Sequence, residues 1–335
     1  MLKSYQFLLI GQGLAGSSLA MQLLLKNYDF LVCDLDNPNS ATNISAGIAN
    51  PLYGKNLNLD PLHYEYFSNA KIFYNGVEKI LNTQILQEKR IFRVFLDNNQ
   101  KQIFNSKKDN PKYNQYIEKE ISENFYIDNF HTPHGGFITK NSFFINLSKY
   151  KKSVAEFLKS KELLINKKFD FSDLKEDGAN FVWQDYKFKK IIFCNGYFDL
   201  NQQVYEDVRF RPAKGELLNL KIPDLSEEYI INFGKFILPL GNKEFRLGAT
   251  YSWDSFDFSN SEKAKSELLN EFSKYCKLPY EFISQKAGIR PIISGNKPIY
   301  QQSKTNQNIF IFNGLGSKGV LYGPYYSKLL LDKLV

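Results

Sequence analysis

The chain has 335 residues, 43% of them hydrophobic and 16% aromatic, which is ample for one large domain or two moderate ones and excludes extended disorder. Its formal charge of +8 comes from lysines spread along the whole sequence, so charge alone neither selects nor excludes a nucleic-acid partner. Cys33, Cys194 and Cys276 are odd in number, widely spaced and without a CxxC pair, which argues against a disulfide framework and suits free thiols in a reducing cytoplasm.

The first predicted element is a strand over residues 5–10, stopped by Gly11-Gln12-Gly13-Leu14-Ala15-Gly16. A helical pattern follows, with Leu14, Ser17, Ser18, Met21 and Leu25 on one face. The uncharged run 7–25 could pass for a signal peptide or a membrane span, but Gln12, Ser17, Ser18 and three glycines interrupt it. Strand, turn and helix account for the same residues, so neither export nor spanning is expected. A second apolar run, residues 30–33, ends in Asp34, 23 residues beyond Gly11. Gly11 permits the tight turn, Gly13 lets a pyrophosphate approach the backbone, and Gly16 lets helix and strand pack closely. The unpaired N–H groups of the helix start, with Leu14 and Ala15 in its first turn, then face the pyrophosphate. Asp34 ends the strand and suits the adenosine ribose hydroxyls; Asp36, two residues on, competes for that role.

Downstream, Ser45-Ala46-Gly47-Ile48 is a small-residue segment against which a flat ring system could lie. A buried strand at 191–194 ends at Asn195-Gly196, as a third strand of a dinucleotide fold would. Alternation at Val208-Arg209-Phe210-Arg211 and Glu244-Phe245-Arg246-Leu247 predicts an antiparallel sheet. Near the end, a strand at 308–313 runs into Gly314-Leu315-Gly316-Ser317-Lys318-Gly319 and a helix to residue 334. This second glycine loop is either a plain strand–helix turn or the second contact of a long ligand. If both loops face one ligand, FAD fits better than NAD, because it offers a pyrophosphate and a flavin that gains negative charge near N1 on reduction. His131 and His134 stand as HxxH in a loop beside Pro133, so no metal site is expected. His63 lies in a polar, aromatic helical stretch and reads as a surface residue. The thiols fall in strand or helix patterns, so no covalent flavin attachment is expected.

With these residues in hand, the chain resembles the D-amino-acid oxidase and glycine oxidase superfamily of FAD-dependent oxidoreductases over nearly its full length. Within it, the chain is most similar to the FAD domain of the bifunctional tRNA enzyme of 5-methylaminomethyl-2-thiouridine biosynthesis. The likeness rests on residues 45–52 and 68–74, Pro133-His134-Gly135-Gly136-Phe137, Pro212-Ala213-Lys214-Gly215-Glu216, Leu247-Gly248-Ala249-Thr250-Tyr251, Gly288-Ile289-Arg290-Pro291 and the C-terminal glycine loop with its basic Lys318. It departs at Phe236, where relatives tend to carry a substrate-binding Tyr, and at Ser294-Gly295-Asn296. No methyltransferase domain is read ahead of the first strand.

The resemblance implies an α/β (α+β) fold in which a Rossmann-like FAD-binding domain (1–79, 133–205, 286–335) interleaves with an antiparallel-sheet substrate domain (80–132, 206–285). It implies that FAD meets Gly11, Gly13, Leu14, Ala15, Gly16, Asp34, Ser45, Ala46, Gly47, Ile48, Asn195, Gly196, Gly314, Gly316, Ser317, Lys318 and Gly319. It also implies that Arg290 grips a substrate carboxylate through its planar two-donor fork, with Phe236 and Tyr251 in the pocket. Pairing of Arg290 with a nearby acid is the alternative. The implied chemistry is hydride transfer from an α-carbon to flavin N5, leaving an iminium that water hydrolyses. Three functions follow: oxidation of a small amine or amino acid, the same chemistry on a tRNA wobble uridine, or a non-catalytic flavin-binding partner protein.

Overall fold

The computed structural model describes residues 2–127, 129–198, 200, 203–304 and 306–335. Its first sheet has a parallel centre in the order Leu164–Asn166, Phe30–Asp34, Lys3–Ile10 and Tyr186–Phe193, with Ile309–Asn313 parallel to the last of these. These strands read as continuous apolar runs because helices and loops cover both faces. The helix Leu14–Leu25 and the C-terminal helix Gly319–Leu334 pack on one face together with Leu147–Ser160. The two terminal helices meet closely, since a Cβ on Gly323 would lie 2.8 Å from Ser18 Oγ. This sandwiching corrects the one-faced reading of the first helix. It is buried nearly all round, and Leu25, read on the same face as Leu14 and Met21, is exposed.

A second, eight-stranded sheet runs Glu281–Arg290, Ala213–Lys221, Glu244–Gly248, Phe236–Gly241, Ile230–Asn232, Ile91–Val94, Gly136–Thr139 and Ile117–Ile121. All its pairs are antiparallel except that between Ile230–Asn232 and Ile91–Val94. The mixed α/β architecture is therefore the one the sequence implied. Of the two alternating stretches, Glu244–Gly248 is a strand, whereas Phe210 makes only an isolated bridge to Ile293. Alternation over four residues cannot tell a strand from an extended loop. Among the described residues no helix is long and apolar enough to cross a membrane.

Candidate active site

The first glycine motif builds its turn as local sterics demand. Gly11 has φ +100°, and a Cβ there would meet Cys194 O and Asn195 Cα at 2.8 Å. A Cβ on Gly16 would fall 1.8 Å from Gly11 O, so Gly16 is the close-packing position and does not line the cavity. Gly13 caps the helix with extended backbone and no side-chain cap. Its own Cβ position reaches only Thr42 Oγ1, at 3.4 Å. Leu14 N–H donates to that same hydroxyl at 2.9 Å. The other first-turn N–H groups have no intrahelical acceptor, and no acidic side chain stands in that turn. Such a helix start is of the kind that suits an anion.

The loop opens on a cavity of about 650 Å³, within the range of cofactor pockets. Gly11, Gly13, Leu14, Ala15 and Asp34 line it, and so do Ser45, Ala46, Gly47 and Ile48. Asn195 and Gly196 join them from the strand Tyr186–Phe193, and Gly316, Ser317 and Gly319 from the C-terminal loop. Arg290, Phe236 and Tyr251 line the same space. Two glycine loops some 300 residues apart in sequence thus share one cavity.

Two loop residues turn elsewhere. Gly314, at φ +75°, supports the turn itself, where a Cβ would strike Ile293. Lys318 faces away from the cavity, 3.1 Å from Asp60 and over the rings of Tyr53 and Tyr322. It ties the C-terminal loop to the segment after Ile48. His63, read as a surface residue, is buried there against Phe67 and Tyr116, and its Nε2 has no partner. Burial lowers its pKa to about 4.

Asp34 and Asp36 have separated. Asp34 lines the cavity while its two oxygens accept the N–H groups of Gln12 (2.9 Å) and Asp36 (2.8 Å). Each oxygen keeps a further lone pair. Asp36 instead pairs at 2.6 Å with Lys151, whose side chain is almost fully buried. The Lys151 hydrogen bond holds the Asp36 carboxyl below its usual pKa.

At the far end, Arg290 has no carboxylate within ion-pair distance among the described residues. Its guanidinium lies 4.1 Å from the Tyr251 ring centroid, and Nη1 donates to Thr250 O at 3.4 Å. Burial pulls its pKa down. Arg290 stands opposite Ala213 in the sheet, so Gly215 is its diagonal neighbour. A Cβ on Gly215 would sit 2.2–2.5 Å from the guanidinium atoms. Only glycine leaves room for the fork to lie flat on that strand. Tyr251 also hydrogen-bonds Ser317 across the cavity at 2.7 Å.

Sequence reasoning missed Thr42, Lys151, Lys235 and the aromatic wall of Tyr197, Phe198 and Phe258. None carries a local motif. Gly215 was visible as part of Pro212-Ala213-Lys214-Gly215-Glu216, but its role required the strand register.

The family DAO, FAD dependent oxidoreductase, has a model that matches residues 6–333. The chain is also similar in fold to glycine oxidase from Bacillus cereus ATCC 14579, with TM-score 0.81 and 16% identity, covering 98% of this chain and 94% of that one. Iminodiacetate oxidase (IdaA) from Chelativorans sp. BNC1 gives TM-score 0.78 and 18% identity, covering 97% and 94%. Dithionite-reduced L-alpha-glycerophosphate oxidase from Mycoplasma pneumoniae, with FAD bound, gives 0.75 and 15%, covering 99% and 95%.

Proposed function

The chain belongs to the DAO family of FAD dependent oxidoreductases, and from that premise we propose that it oxidises the C–N bond of a carboxylate-bearing amine. Its cofactor is FAD, and the residues present fit that group. The helix start at Gly13, with first-turn N–H groups beyond Leu14 left over, suits the pyrophosphate, Asp34 the ribose, and the small segment at Ser45–Ile48 with the second glycine loop a flat ring. When bound, FAD supplies the two-electron acceptor for a C–H bond next to nitrogen. The observation that carries the substrate class is Arg290, a cation with no acid of its own among the described residues, flattened against Gly215 and facing the cavity. Its fork would hold a carboxylate by two parallel hydrogen bonds, with the Tyr251 ring beneath it. The wall of Phe236, Tyr197 and Phe258 keeps water from the amine and aligns the C–H bond. The two sheets correspond to a cofactor half and a substrate half. Because Gly136–Thr139 pairs in the second sheet, we set that boundary near residue 140.

The test is anaerobic bleaching of the flavin by glycine, sarcosine, D-amino acids and iminodiacetate. Arg290→Ala should cost roughly 2–5 kcal/mol in substrate binding with FAD retained, and Arg290→Lys should recover only part. Bleaching of Arg290→Ala at the wild-type rate with every active donor overturns the carboxylate reading.

A second reading, closer to the tRNA enzyme, draws on the cavity rim. Tyr251, Trp253 and Phe256 are exposed there, and the Arg211 guanidinium lies 5.5 Å from the Trp253 ring centroid. Exposed aromatics interleaved with arginine make a stacking platform for unpaired bases. Under this reading a tRNA wobble uridine bearing a carboxymethylaminomethyl group presents the same amine and carboxylate. Salt-dependent tRNA affinity that falls in Trp253→Ala supports it, and absence of tRNA binding at low salt removes it.

A further inference from the structure

Five cationic side chains line the cavity, Lys151, Lys167, Lys168, Lys235 and Arg290, against a single carboxylate, Asp34, among the described residues. Asp34 lies with the first glycine loop. Lys151 is neutralised by Asp36, and Lys167 donates to Gln184. The pyrophosphate of the dinucleotide accounts for positive charge around the first helix. It does not account for the two cations at the other end.

Those two are held by consecutive carbonyls of one segment. Lys235 Nζ donates to Ala249 O at 3.1 Å, and Arg290 Nη1 donates to Thr250 O at 3.4 Å. Two hydrogen bonds to adjacent carbonyls keep the two charges within about 12 Å of each other. A short carbon chain with a carboxylate at each end, each held at about 2.8 Å, fits within that limit. Two of the three Lys235 donors have protein acceptors, Ala249 O and Glu267 at 2.6 Å. Glu267 is about half exposed, and such pairs contribute little and exchange readily. The third donor is available to a ligand.

We infer that Lys235 is a specificity-determining residue that reads a second anionic group, so that the substrate is an amine bearing two carboxylates. The inference rests on the reading of Arg290 as a carboxylate holder. One carboxylate lies on the Arg290 fork beside the reacting carbon, and the other takes the remaining Lys235 donor in competition with Glu267. No bond is made or broken at Lys235.

The experiment uses the FAD-loaded protein and ligands that cannot be oxidised. Succinate and glutarate are compared with butyrate and valerate by calorimetry and by perturbation of the flavin absorbance. The wild type should bind the diacids more tightly than the monoacids of equal length. Lys235→Met should weaken the diacids about 10–150-fold and leave the monoacids unchanged. Glu267→Gln, which removes the competing acid and leaves Lys235 in place, should tighten the diacids about twofold to fivefold. It decides the matter if Lys235→Met fails to fold. Equal loss of diacid and monoacid in Lys235→Met, no change in either, or no preference for diacids in the wild type overturns the inference. Arg290→Lys separates the two layers. If it weakens both ligand classes while Lys235→Met weakens neither, the carboxylate reading stands and the diacid inference falls. If neither variant alters any ligand, both fall.

Discussion

Gly215→Ala is the sharpest probe of the site, because it removes no polar group. The added Cβ would lie 2.2 Å from Arg290 Nη1, 2.3 Å from Nη2 and 2.5 Å from Cζ. Restoring ordinary contact at 3.4 Å requires the guanidinium to move by about 1.2 Å. The obstructing atoms are the end of a flexible side chain, so the fold should adapt and Tm should stay within about 4 °C of wild type. The fork, however, leaves the plane on which a carboxylate would meet it. A misplacement of about 1 Å in a positioning group costs on the order of 10²-fold, or about 2.7 kcal/mol. The assay is stopped-flow flavin reduction under anaerobic conditions with the best amine donor, alongside FAD affinity by fluorescence. Gly215→Ala should keep FAD and lose about two decades in reduction at subsaturating donor. Since both changes act through one contact, Gly215→Ala with Arg290→Ala should be no worse than Arg290→Ala alone. Wild-type reduction by Gly215→Ala, or additive losses in the double variant, would refute the reasoning.

Gly13→Val should fold normally, since only Thr42 is near its Cβ, yet emerge colourless because the side chain occupies the anion site; the absorbance ratio of the purified protein reads this directly. Asp34→Ala should weaken FAD roughly 10–150-fold by equilibrium dialysis, while Asp36→Ala changes it far less. His63 titrates near pH 4 when folded against 6.5 when free, so the unfolded chain binds more protons between those values. Its stabilising contribution is full above pH 6.5 and is lost as pH falls through 4, about 3 kcal/mol in all. Denaturant titrations from pH 8 to 4 should show a flatter profile for His63→Phe, which preserves the stacking on Phe67 and Tyr116.

The first glycine loop was legible because its constraints are local: Gly11 and Gly16 answer to atoms of the same turn and of the neighbouring strand. The parallel strands were legible as unbroken apolar runs. What stayed hidden depends on register or on remote partners. Gly215 matters only because Ala213 pairs with Arg290, which no local spacing specifies. His63 sits in a polar stretch, and its cover, Tyr116, comes from a distant segment. Lys151 reads as one more lysine of a charged helix until Asp36, 115 residues away, is brought to it. Lys318 belongs to the C-terminal glycine loop, yet its direction is set by Asp60 and Tyr53.

The packing of the first helix against the last has a consequence for how the molecule assembles. The Leu14–Leu25 helix buries Leu14 and Ser18 against Gly319 and Gly323, so the cofactor half cannot close until the Gly319–Leu334 helix has been made. Until then the central strands expose apolar edges that favour pairing with other chains. The second sheet, drawn largely from residues 91–290, can collapse first. On the reading proposed above FAD would bridge both glycine loops, so it would act on the last step. At a free concentration of 100 Kd it adds about 2.7 kcal/mol to the assembled state. Cofactor supply during synthesis thus favours completion of the fold without being required for it.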